Sequence, residues 1–166
     1  MKSKLVWALA VIGVMGVAVY GGVTVLATAP SGVTVTPLAP VGHFDEINAN
    51  ANSKADDWKA KVETKGVTDV YVNQVTIQPG GTNGWHMHLG PSFVIVKSGT
   101  ATFYEAGDPT CTPLVLPAGS SHFEPAGDVH ILRNEGDVPL VNVVVQLIPT
   151  GEPRSISEPS PGNCPF

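Results

Sequence analysis

Polar and apolar side chains alternate through Trp58, Lys59, Ala60, Lys61, Val62 and Glu63, and a period of two predicts a strand with one face buried and the other in water. Further strand-like runs follow at residues 69–78, 92–97, 100–105, 114–116, 121–124, 130–134 and 140–148. Each is bounded by Gly, Pro, Asn or Asp, the residues that punctuate strands. Many short strands at close intervals, with almost no helical period, predict an all-β sandwich or barrel. With 166 residues the chain has room for one such domain and its core.

The N-terminus breaks this pattern. Lys2 and Lys4 precede an uncharged apolar run from Leu5 to Leu26 that ends in Ala27-Thr28-Ala29. Residues 1–29 are expected to be a hydrophobic helix serving as a signal peptide or a membrane anchor. Signal-peptide cores are about 7–15 residues and a bilayer span needs about 20, so the length suits an anchor. Ala-x-Ala suits cleavage, although Pro30 directly after it disfavours the cut. Both readings stand. In either case the lysines place the N-terminus in the cytoplasm and the domain outside it. Residues 30–41, rich in Pro, Thr and Gly, read as an extended linker. A folded domain at 42–149 and a tail at 150–166 complete the chain.

Charge and cysteine content narrow the partners. Lys and Arg total 9 against 14 Asp and Glu, and without the two N-terminal lysines seven basic residues remain against fourteen acidic ones. That balance disfavours nucleic acid. The 2 cysteines, Cys111 and Cys164, are expected to pair in an oxidising compartment, pinning the tail to the loop at 108–113.

The chemistry sits in two spaced motifs. Gly119, Pro125, Gly127, His130 and Asn134 follow G-x5-P-x-G-x2-H-x3-N. Gly80, His86, His88 and Gly99 follow G-x5-H-x-H-x3,4-E-x6-G, except that Ser92, or Phe93 at the longer spacing, stands where glutamate belongs. In these motifs the chain resembles the cupin superfamily over roughly residues 42–149. The run Gly-Trp-His-Met-His-Leu-Gly-Pro and the tail also resemble exported bacterial single-domain cupins. The resemblance implies a double-stranded β-helix, or jelly-roll barrel, with both motifs in the wall of one pocket, and edge-to-edge homodimers.

His86 and His88 point to one side of a strand, and the resemblance brings His130 to the same pocket. Three imidazoles suit a divalent transition ion, Fe, Mn, Ni, Cu or Zn, better than Mg or Ca. Ser92 is too weak a ligand to replace glutamate. His122 and Glu124 share one face of a short strand. If that face is inner, Glu124 supplies the carboxylate or a general base and His122 a proton shuttle; if outer, both are solvated. Ser92, Val94 and Val96 are expected to line the pocket, and His43 to lie at the surface. The functional readings are a metal-dependent oxygenase of a small chelating molecule, or a non-enzymatic cupin that binds a small ligand or holds its metal structurally.

Overall fold

The computed structural model describes residues 27–52 and 58–166. The apolar run 5–26, expected as the N-terminal hydrophobic helix, lies outside them. Among the described residues no helix is long and apolar enough to cross a membrane. They form β1 (Ser31–Pro37), β2 (Gly42–Phe44), β3 (Asn48–Asn52), β4 (Lys59–Glu63), β5 (Thr68–Thr82), β6 (His86–Met87), β7 (Ser92–Ser98), β8 (Thr100–Glu105), β9 (Leu114–Pro117), β10 (Ser121–Glu124), β11 (His130–Arg133), β12 (Leu140–Pro149) and β13 (Ile156–Ser157). The expected all-β architecture is observed.

One antiparallel sheet runs β10-β7-β12-β5-β11-β6-β13, with β1 and β2 added to β5, β8 to β11 and β9 to β8, and it curls into a nearly closed barrel. The strands facing inward carry the core. Along β7, Ser92, Val94 and Val96 are buried while Phe93, Ile95 and Lys97 are exposed. Along β12, Leu140, Asn142, Val144, Gln146 and Ile148 are buried at every second position. Ile77, Ala101, Phe103, Leu116, Leu132 and Leu140 close around Val96. Val96 is therefore packed core, because these side chains fill the space that a cavity would need; the expectation that it lines the pocket is corrected.

Two further expectations are corrected. Residues 31–37, read as linker, form β1, which pairs with β5 from Thr82 back to Asn73. Its Val-Thr alternation has the β-branched side chains of a strand, and Val33 packs on the core. The alternating segment at 58–63 does form β4, but it pairs with β3 in a separate two-stranded sheet. Trp58 and Val62 remain 58% and 44% exposed, because the hairpin's apolar face has no third strand to cover it among the described residues.

The tail folds back as well. β13 pairs with β6, and Cys111 is disulfide-bonded to Cys164, with Cα atoms 5.2 Å apart. Cys164 packs with Trp85, Tyr104 and Ile131, the last two flanking the strands that carry the histidines. Ala27 forms a bridge to Pro159, and Thr28 Oγ1 accepts a 2.6 Å hydrogen bond from the Trp85 backbone N–H. Gly84, at φ 73°, admits this segment: a Cβ there would sit 2.5 Å from the Thr28 carbonyl oxygen. The Ala-x-Ala triplet is thus part of the folded domain.

Candidate metal centre

Three buried histidines converge inside the barrel. His86 opens β6 and faces His130, the first residue of β11, across the strand pair. His88 follows two positions after His86, on the same side. Their ring centroids lie 4.8 Å (His86–His88), 4.5 Å (His86–His130) and 5.2 Å (His88–His130) apart, and one ring nitrogen from each lies within 4.8 Å of the others.

The backbone decides which nitrogen faces inward. His86 Nδ1 is 2.9 Å from the Gly84 carbonyl, His88 Nδ1 2.6 Å from the Arg154 carbonyl and His130 Nδ1 2.8 Å from the Asp128 carbonyl. A carbonyl oxygen only accepts, so each Nδ1 carries the hydrogen and each Nε2 presents a lone pair. Outward N–H bonding of this kind orients metal-ligating histidines generally.

Glu124 completes the cluster. Directly opposite Ser92 in the β10–β7 pair, it shares that residue's inward face, and is 5% exposed. Its Oε2 lies 3.2 Å from His88 Nε2 and its Oε1 3.5 Å from His130 Nε2. Ligand atoms about 2.1 Å from one ion are separated by about 3.0–3.4 Å at octahedral to tetrahedral angles. A carboxylate is thus brought beside two of the histidines from across the strand pair, while the ligand atoms that converge as a group are those of His86, His88 and His130, and Ser92 Oγ instead accepts a hydrogen bond from Gln146 Nε2 at 3.1 Å.

Electrostatics favour a cation here. Burial, reinforced by the neighbouring imidazoles of His130 and His88, pushes His86 down to about 4. Burial also lowers His130. Burial works to raise the Glu124 carboxyl, but the hydrogen bond to His88 and the charges of the imidazoles outweigh it and hold the carboxyl below its usual range. His130 Nε2 has no hydrogen-bond partner among the described residues. With each Nδ1 facing a carbonyl, the Nε2 atoms and the buried carboxylate converge, and the cluster closes either through a proton on His88 that donates to Glu124 or through a divalent transition ion that takes the Nε2 lone pairs. The residues fit such an ion.

The centre opens into a cavity of about 180 Å³. Val33, Val35, Val75, Val94, Leu132 and Val144 supply its apolar wall, and Asn83, Asn142, Gln146 and Arg154 its polar positions beside His86, His88 and Glu124. Of the expected pocket residues, Val94 lines this space and Ser92 supports it from behind. His122 does not join the site: its ring packs 4.4 Å from that of Phe103, which stacks at 5.0 Å on His130. The condition for a proton shuttle, an inward position in the pocket, is not met by His122, which is absent from the cavity wall. His43 lies at the surface, as expected, with its side chain 73% exposed.

Arg154 and Gln146 carried no expectation. Gln146 and Asn142 were visible as polar residues at inward parity in an otherwise apolar strand. Nothing in the linear pattern of the tail marks Arg154.

This arrangement is a jelly-roll barrel with a polyhistidine centre in its wall. The family model of the cupin domain matches residues 73–146. Among solved structures, a cupin superfamily protein of Desulfitobacterium hafniense is 15% identical, with 70% of this chain and 77% of that one covered, at a TM-score of 0.47. A cupin-like protein of Thermotoga maritima is 23% identical over 58% and 79%, at 0.47. An oxalate oxidase is 24% identical over 49% of this chain and 46% of its own, at 0.42; the chain spans about half of that enzyme. Comparison with curated proteins finds no match.

Proposed function

We propose that the domain binds one divalent transition metal through His86, His88, His130 and Glu124 and uses it as an oxygenase of a small molecule seated in the adjoining cavity. The observation that carries this reading is the convergence of three buried imidazoles whose Nδ1 atoms all face backbone carbonyls, with the Glu124 carboxylate beside His88 and His130. A bound iron, manganese, nickel or copper ion supplies Lewis acidity and one-electron chemistry with dioxygen. The chain's own residues do the rest. The apolar wall excludes water and seats the substrate's carbon skeleton, the backbone carbonyls fix the imidazole tautomers, and Glu124, held ionised, accepts the proton that an acidic substrate group releases.

Elemental mass spectrometry of the full chain, purified in detergent without chelator or affinity-tag metal, tests the centre. Near-stoichiometric metal that disappears in His86→Ala/His130→Ala is the expected result. No metal in either protein after reloading would leave a metal-free binding cupin.

The reading includes a location outside the cytoplasmic membrane, attached or exported through the apolar run 5–26. The Cys111–Cys164 disulfide supports it, since such bonds persist in oxidising compartments. A membrane-impermeant thiol reagent, applied after mild reduction to cells stripped of their wall, is expected to label both cysteines. Labelling only after lysis would place the domain inside.

A further inference from the structure

Arg154 lies on the tail between β12 and β13, and among the described residues it is the one cationic side chain that lines the cavity. Its Nη1 donates to Gln146 Oε1 at 3.0 Å, and its guanidinium carbon sits 5.5 Å from the Tyr71 ring centroid. Gln146 is itself fixed, because its Nε2 donates to Ser92 Oγ. Among the described residues no carboxylate pairs with Arg154, in contrast to Arg133, which is paired with Glu135. A guanidinium has five N–H donors in a planar fork, so Arg154 is braced by one contact and keeps donors for a second partner. The same residue holds His88 through its backbone carbonyl.

Asn142 supplies the second observation. It is 1% exposed, lines the cavity, and its Oδ1 has no hydrogen-bond donor among the described residues. An acceptor left without a donor is costly, and a ligand hydroxyl meeting the Asn142 side-chain amide would offset that. The rest of the wall is aliphatic. The cavity, about 180 Å³ and partly open to solvent, takes a small molecule.

We infer that the ligand is a short-chain hydroxycarboxylate whose carboxylate is anchored by Arg154, whose hydroxyl meets the Asn142 side-chain amide, and whose aliphatic body lies on the valine wall. The assignment rests on the metal-site reading for its electrostatics. Without an ion, Glu124 leaves the pocket with one negative charge against the one positive charge of Arg154; a divalent ion turns the balance positive and admits an anion. The charge balance and the aliphatic wall favour a small carboxylate over a neutral alcohol of the same length.

Isothermal titration of the metal-loaded full chain in detergent tests this with 2-hydroxybutyrate, butyrate, 2-hydroxybutyramide and 1-butanol. The expected order is 2-hydroxybutyrate tightest, butyrate about tenfold weaker, and the neutral amide and alcohol undetectable. Arg154→Gln should lose binding of both acids at least tenfold with bound metal unchanged, Arg154→Lys should retain part of it, and Asn142→Leu should abolish only the preference for the hydroxy acid. Equal binding of acid and amide, or an Arg154→Gln variant that holds both metal and acid normally, would overturn the inference. Absence of metal in the wild type would instead strike the metal reading, which elemental analysis of the same samples reports separately.

Discussion

Two regions of the barrel set histidine against a buried carboxylate, and they differ in the direction of one hydrogen. At the start of β5, Asp69 accepts 2.7 Å hydrogen bonds from Thr150 Oγ1 and from His43 Nδ1. Donors meet an acceptor there, and the Thr150 bond, followed by that of His43, lowers the Asp69 carboxyl. In the pocket the Nδ1 hydrogens of His86, His88 and His130 are all committed to backbone carbonyls. Glu124 therefore faces Nε2 atoms. The first cluster is complete as a structural clasp between β2, β5 and the end of β12; the second closes through a proton on His88 that donates to Glu124, or through a cation. What separates the clasp from the candidate metal centre in this chain is where the backbone sends the imidazole hydrogen, not which residue types meet.

The comparison breaks hardest at the carboxylates. Glu124→Gln should lower metal affinity about 10²–10⁴-fold, because removing one partner of a buried charged cluster costs about 3–5 kcal/mol. The melting temperature of the metal-free variant should hold or rise, since the new amide can donate to a ring nitrogen. Metal titration and thermal melts of chelated protein check both halves.

Acid should find the pocket before the clasp. His86 titrates at about 4 in the fold against about 6.5 in an unfolded chain. Between those values the unfolded chain binds the proton and the folded one does not, so stability is full above about pH 6.5 and falls by up to about 1.4 kcal/mol per pH unit down to about pH 4. Asp69, lowered from 3.8, contributes stability that is lost only as pH falls below that value. Urea unfolding of chelated protein across this range is expected to show the loss beginning near pH 6.5 and to lose that early phase in His86→Gln.

Smaller effects belong to the clasp. Asp69→Asn should lower the denaturant midpoint by removing the carboxylate that holds Thr150 and His43 and leave bound metal unchanged. His43→Gln, on an exposed side chain, should cost less than about 1 kcal/mol. Denaturant melts and elemental analysis of the same preparations sharpen the contrast.

Much of this fold was legible in order along the chain. Period-two alternation and turn residues marked the strands from β5 to β12, and the motif spacings marked His86, His88 and His130. The two cysteines pair as expected. The apolar wall at Val94 followed from parity alone. What escaped were relations between distant segments. The Val-Thr stretch of β1 looked like a tether because its partner, β5, lies some forty residues on. His122 shares its strand with Glu124, but Phe103 from β8 comes between it and His130.

The sequence by itself determined the all-β class, the candidate histidines and the disulfide, because each depends on local periodicity, on fixed spacing or on a residue type present only twice. Tertiary structure alone decided that Glu124 enters the pocket, that Val96 leaves it, and that Arg154 reaches it from the tail. Strand register brings Glu124 opposite Ser92, and packing around Val96 fills its space. The return of the tail over β6 then puts a guanidinium at the cavity and a backbone carbonyl on His88. Register and chain return are properties of pairs of segments, and no single stretch of sequence carries them.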